Sequence, residues 1–153
     1  MQKSQKERYQ QIKERIFNLY NNKGYGSSIK LSLKALKDFP DKKREITLWL
    51  ACLYCRIKRY DTAISLLKDE LSEKSWWSQY ELSDEDLNPI RKRPEFRKIE
   101  AKGKQFLKRL KAHTKPKLLL YKPNKISERT VAIIALHGRY SNAEDLALVL
   151  NSK

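Results

Sequence analysis

The chain has 153 residues, of which 40% are hydrophobic and 34% are charged, and its formal net charge is +16. The 3 Trp, 8 Tyr and 4 Phe argue against a disordered chain, and the length suits one ordinary domain or two small ones. No apolar run reaches 18 residues and the first residues are charged throughout, so we expect neither a membrane span nor a secretory signal.

The two cysteines, Cys52 and Cys55, form a C-x-x-C pair. A secreted domain held by disulfides would usually carry more cysteines, so we expect a reducing, cytoplasmic location. Positions i and i+3 share one face of a helix, but no second pair completes a zinc site and no βαβ context supports a redox pair. The pair is therefore predicted to be buried in the core, and we expect no metal and no cofactor.

An internal repeat occupies the first seventy residues. The segment 23–29 (KGYGSSI) aligns with 58–64 (KRYDTAI) at an offset of 35, and the same offset pairs Leu36 with Leu71. Apolar residues in steps of three and four predict two helices in each unit. The repeat is therefore predicted to be two helical hairpins.

Proline at position 40 is predicted to end the first hairpin, and the second hairpin is predicted to turn at Tyr60. The pattern resembles the tetratricopeptide repeat (TPR), and extends over about 9–90 when the segment that closes the repeat is included. The second unit carries residues typical of that family at Leu50, Ala51, Tyr54, Tyr60, Ala63 and Ile64. The resemblance implies antiparallel helix pairs that bind a protein or peptide.

The segment after the repeat is rich in tryptophan and acidic residues. Trp76 and Trp77 precede the acidic run 84–86, and this segment is expected to cover the open face of the repeat. Ser83 or Asp84 suits the N-cap of a short turn, and Pro94 suits the first position of the next helix. The acidic run is predicted to pair with arginine or lysine rather than to bind a metal.

A basic capping helix is predicted over 94–112, because Phe96, Ile99, Gly103, Phe106 and Leu110 recur in steps of three and four. Residues 91–117 carry 12 basic and 2 acidic side chains. Basic residues on the other faces of the helix are Arg97, Lys98, Lys102, Lys104, Lys108, Arg109 and Lys111. We expect a solvated face, and the alternative is a surface that binds nucleic acid or another anion through counterion release.

The pattern changes after residue 113, with a predicted hinge at 114–117 and β-type runs at 118–121 and 131–136. The second run ends in the turn His137, Gly138, Arg139 and Tyr140. This strand and turn resemble the oxyanion-loop region of α/β-hydrolases, especially the carboxylesterase and dienelactone-hydrolase-like families. The resemblance covers about 117–153 and implies that the backbone N–H of Arg139 or Tyr140 helps to bind an oxyanion. The alternative is a buried strand that ends in an ordinary turn.

The other catalytic elements of a serine hydrolase are not found in the chain. The glycines at 24, 26, 103 and 138 leave no G-x-S-x-G elbow, and neither His113 nor His137 lies where a general base would follow a nucleophile. This chain alone is therefore not expected to be an enzyme. A longer parent protein would be a serine carboxylic-ester hydrolase, of which we expect the chain to be a fragment.

The predicted fold is mainly α. It comprises TPR-like antiparallel helix pairs with a capping helix at 1–113, the hinge at 114–117, and a truncated start of an α/β-hydrolase domain at 118–153, built as a β-β-α remnant of the sheet. The leading prediction is the N-terminal portion of an intracellular α/β-hydrolase-type esterase, with the helical domain as a lid, dimer surface or substrate-positioning element. The alternatives are a TPR-type protein-interaction module and a nucleic-acid or anion binder acting through 94–112. Expected partners are a protein or peptide, a second copy of the chain, or an acidic surface.

Overall fold

The computed structural model describes residues 4–72 and 75–113. The chain divides into two units, Met1–His113 and Thr114–Lys153, and the described residues belong to the first. Six α-helices follow one another in this part: α1 Gln5–Asn21, α2 Tyr25–Asp38, α3 Lys43–Arg56, α4 Tyr60–Asp69, α5 Gln79–Leu82 and α6 Pro94–His113. Short 3₁₀ segments lie at Pro40–Lys42 and Glu85–Ile90.

The described residues contain no β-strand, and this corrects the predicted fold class. The structure is mainly α, as predicted. The prediction that a β-β-α remnant of a hydrolase sheet accompanies the helices is wrong. The runs at 118–121 and 131–136, to which the strands were assigned, lie outside the described residues. A short, continuously apolar run has no periodicity that separates a strand from a buried helical segment, so the pattern could not establish a sheet.

The turns that close the two helical hairpins have the same hydrogen bonds, 35 residues apart. Lys23 and Lys58 each donate their N–H to the carbonyl three residues earlier, at 2.9 and 3.0 Å. Gly24 and Arg59 each donate to the carbonyl five residues earlier, both at 2.8 Å. Lys23 and Lys58 have φ angles of 59° and 61°, the left-handed conformation that commonly ends a helix. The offset of 35 is therefore a property of the backbone as well as of the sequence.

Helix boundaries follow the local chemistry of the chain. The helix α2 ends just before Pro40, and α6 begins at Pro94. Proline suits the first position of a helix, because an N–H at that position would have no acceptor within the helix. Asp84 caps the 3₁₀ segment that follows it by accepting the Asp86 N–H at 2.9 Å. The turn occupies 57–59, so the prediction of a turn at Tyr60 is wrong by one residue, because this residue begins α4.

The helix α3 lies between two clusters of buried side chains. Its residues Ile46, Leu50 and Leu53 pack with α1 and α2, whereas Ala51 and Cys52 pack with α4 and the segments that follow. The second cluster is completed by residues of the tryptophan-rich segment and of α6, namely Trp77, Leu82, Leu87, Ile90, Phe96 and Ile99. The segment after the hairpins thus covers α3 and α4. Across the described ranges, no helix has both the length and the apolar character needed to cross a membrane.

Candidate functional site

The basic face of α6 is exposed. The side chains of Arg97, Lys98, Lys102, Lys104, Lys108 and Arg109 are all exposed, while nothing is described of the Lys111 side chain. On the expected apolar face, Phe96 and Ile99 near the start of the helix are buried, whereas Phe106 is half-buried and Leu110 is 46% exposed. The expected apolar face is therefore covered in the first half of α6 and open in the second.

The approach of α6 to the preceding segment depends on a glycine. A Cβ built on Gly103 would collide with the backbone carbonyl oxygen of Trp77. On the other side of this contact, the Trp77 Nε1 donates to the Leu67 carbonyl of α4 at 2.7 Å, and the indole is 1% exposed. Trp77 therefore fixes the distance between α4 and α6.

A cleft of about 730 Å³ opens beside this contact. One wall is Trp76, whose ring stacks on Phe106 of α6 with centroids 5.3 Å apart and planes inclined by 25°. Leu71 and Leu110 extend the apolar lining, and the cations Lys102 and Arg109 also line the cleft. Periodicity places Phe106 and Leu110 on the packed face of a helix, but it does not show that Trp76 leaves a groove beside them.

An arginine on α3 holds the tryptophan-rich segment in place. The Arg44 guanidinium donates to the Glu81 carboxylate at 2.9 Å and lies 4.6 Å from the centre of the Trp77 ring. It also donates to the carbonyl of Trp76. Glu81 accepts the backbone N–H of Ser78 at 2.8 Å and donates its own backbone N–H to the Ser78 Oγ at 3.2 Å, which closes a capping box at the start of α5.

These contacts set the protonation of Glu81. Burial alone favours the neutral carboxyl, but the hydrogen bonds from Ser78 and Arg44 outweigh it and lower the pKa of Glu81 below its ordinary value. Sequence patterns missed this ion pair because its partners lie 37 residues apart. The S-x-x-E spacing of Ser78 and Glu81 was the one local signal for it.

The C-x-x-C pair is reduced and buried, as predicted. Burial raises the pKa of Cys52 far above that of a free thiol, and it raises the pKa of Cys55 to about 11. Both thiols are therefore protonated at neutral pH, whereas a nucleophilic cysteine must be a thiolate.

Cys52, Asp84 and Asp86 bring one potential ligand atom each within 4.8 Å of one another. Asp86 already accepts the Tyr20 hydroxyl at 2.8 Å and pairs with Arg56 at 3.4 Å. The Asp84 carboxylate caps the backbone N–H of Asp86. Within the acidic run, Asp86 is thus paired with an arginine, as predicted, and Asp84 serves as a cap.

The four residues predicted to form an oxyanion loop, His137, Gly138, Arg139 and Tyr140, lie outside the described residues. The site that the structure does describe is on the helical unit: the basic helix α6, the aromatic pair Trp76 and Phe106, and the cleft between them.

No curated protein and no solved structure matches the chain significantly. The model of one protein family, described as A/B hydrolase-like, N-terminal domain, matches residues 8–110. This range runs from α1 into α6 and includes both hairpins, the tryptophan-rich segment and most of the basic helix. The matched residues form more than half of the chain, which therefore belongs to the A/B hydrolase-like N-terminal domain family.

Proposed function

We propose that the chain is the N-terminal portion of an intracellular serine hydrolase that cleaves carboxylic esters. The observation that carries the proposal is the family match over 8–110, which makes the helical unit the N-terminal domain of a hydrolase-like protein. The sequence of the turn at 137–140 supports it, because a His-Gly turn after an apolar run is the pattern of an oxyanion loop. The free cysteines agree with a reducing compartment.

In this proposal the helical unit supports catalysis without supplying the reacting groups. Its two thiols are held protonated, and Asp84 and Asp86 are engaged in a helix cap and an ion pair. The nucleophile, the acid and the histidine would come from a catalytic domain that extends beyond this sequence. The backbone N–H of Arg139 or Tyr140 would donate one hydrogen bond to the oxygen that becomes the oxyanion. The negative charge on this oxygen develops only as the transition state is reached.

A serine-directed fluorophosphonate tests the proposal directly. The reagent should label a polypeptide extended through the downstream reading frame, and mass spectrometry should locate the adduct on a serine within G-x-S-x-G. The chain of 153 residues is the matched control and should not be labelled. An extended polypeptide that resists labelling, or one labelled at a residue other than an elbow serine, would contradict a serine esterase.

A second candidate function is peptide binding by a TPR-like repeat, which the face between α1 and α3 favours. Phe17 is 38% exposed and its ring lies 5.2 Å from that of Trp49, with the Lys13 ammonium 5.4 Å from the Trp49 ring. Tyr20 helps to line a shallow hollow of about 60 Å³ on this face. The exposed aromatic ring suits a peptide that carries apolar side chains, while the Lys13 ammonium is already paired with the Glu45 carboxylate at 2.7 Å.

Peptides selected from a display library would test this second function. Binding should be weakened by Phe17→Ala and unaffected by Leu33→Ala, a control at an apolar residue of α2 that is similarly exposed, at 40%. A library that yields no peptide sensitive to Phe17→Ala would count against a binding face between α1 and α3.

A further inference from the structure

We infer that the cleft between Trp76 and α6 is a binding site for an amphipathic carboxylate, a molecule with an apolar chain and a single carboxylate head. The inference concerns the helical unit by itself, and it holds whether or not a longer protein hydrolyses esters. It follows from three properties of the cleft: its apolar wall, the two cations that line it, and its size.

The apolar wall is formed by side chains that are incompletely buried. Trp76 and Phe106 are each half-buried, and Leu110 is 46% exposed although it lies on the apolar face of α6. The stacked rings of Trp76 and Phe106 give this wall a fixed shape. A hydrocarbon chain placed against it would remove apolar surface of both partners from water, which favours binding.

Two cations of α6 supply the charge of the cleft. Lys102 and Arg109 line it, and neither forms an ion pair with a carboxylate in the described ranges 4–72 and 75–113. Seven residues separate them, or about 10 Å along a helix axis. Two long side chains can approach each other across that distance. One carboxylate can therefore form an ion pair with Lys102, with Arg109 or with both. A hydrogen bond between charged groups is stronger than one between neutral groups.

The size and composition of the cleft favour a small molecule over a nucleic acid. Its volume, about 730 Å³, falls within the range of pockets that hold small ligands. A nucleic-acid strand would present a row of phosphates, whereas the cleft has two cations in its lining, Lys102 and Arg109. An apolar wall with two cations beside it matches a single head group with a hydrocarbon tail.

Isothermal titration calorimetry of the full chain with decanoate, kept below its critical micelle concentration, tests the inference. We expect saturable binding at one site, and binding of decan-1-ol that is about tenfold weaker because the alcohol lacks the charged head. The double variant Lys102→Gln/Arg109→Gln should lose about tenfold or more in affinity for decanoate. The control Arg97→Gln/Lys108→Gln removes the same two charges from exposed positions of α6 outside the cleft, and its affinity should stay within about twofold of the wild type.

Several outcomes would overturn the inference. These are the absence of saturable decanoate binding, equal losses in the two double variants, and equal affinity for decanoate and decan-1-ol. Equal losses would show that decanoate responds only to the overall charge of α6. A uridine oligonucleotide could also displace decanoate and bind both double variants with equally reduced affinity. That result would show that α6 is instead a phosphate-binding surface. Because all four substituted side chains are exposed, circular dichroism should show unchanged helix content in both variants.

Discussion

The backbone carbonyl oxygen of Trp77 occupies the place where a Cβ of residue 103 would have to lie, so Gly103 allows α6 to approach the tryptophan-rich segment. The Gly103→Ala variant should therefore lose about 2 kcal/mol of its free energy of unfolding, because the helix or the Trp77 backbone must move. Urea unfolding followed by circular dichroism measures the loss. Gly26→Ala is the control, because Gly26 lies in α2 and a Cβ added to it meets no atom within 4 Å. The free energy of unfolding of this variant should be unchanged or about 0.5 kcal/mol higher.

The left-handed lysines predict a stabilising substitution. Lys58 has a φ of 61° in the turn before α4 and its side chain is exposed. A left-handed conformation strains a residue that has a Cβ, and glycine adopts it freely. Lys58→Gly should therefore raise the free energy of unfolding by about 0.5 to 1 kcal/mol. Lys34→Gly, at an exposed position in the interior of α2, should lower it by a similar amount, and a loss of stability in Lys58→Gly would contradict the turn geometry.

The lowered pKa of Glu81 predicts how stability depends on pH. Its carboxylate binds the proton less readily in the folded state than in the unfolded state, so the stability it contributes is present above the ordinary pKa of 4.5. That contribution is lost as the pH falls through the lower folded-state pKa. Glu81→Gln should cost about 2 kcal/mol at neutral pH, because it leaves the Arg44 guanidinium without its counter-charge.

Unfolding free energies measured from neutral to acidic pH check this prediction. The difference between the wild type and Glu81→Gln should shrink as the medium becomes more acidic than the ordinary pKa of glutamate. Glu14→Gln, at an exposed position of α1 outside the ion pairs found in the described residues, should differ little from the wild type at any pH. A constant difference between wild type and Glu81→Gln would show that the hydrogen bonds to Glu81 are independent of its charge.

Local chemistry predicted much of the helical unit. Pro40 and Pro94 mark helix boundaries for the reason expected from the geometry of proline, and Asp84, one of the two residues predicted as a cap, caps the 3₁₀ segment. The C-x-x-C pair is buried because its i, i+3 spacing puts both thiols on one covered face of α3. These features depend on a few neighbouring residues, whose backbone preferences are strong enough to be recognised in the sequence.

The features that sequence patterns missed depend on contacts between distant residues. Arg44 meets Glu81 across 37 positions, and no periodicity links an arginine in α3 to a carboxylate in α5. The cleft exists because Trp76 stacks on Phe106 at the open end of α6, whereas the periodic pattern treated that whole apolar face as covered. The left-handed backbone of Lys23 and Lys58 also left no local signal, since lysine has no intrinsic preference for it.

Hydrolysis of a short-chain p-nitrophenyl ester is the most direct test of the proposed function. The assay compares this chain with a polypeptide extended through the downstream reading frame, each with and without prior treatment by a serine-directed phosphonate. We expect saturable turnover by the extended form alone, and loss of this turnover after phosphonate treatment. An extended form that does not turn over the ester, or turnover by the 153-residue chain itself, would contradict the assignment of this chain to the N-terminal portion of a serine ester hydrolase.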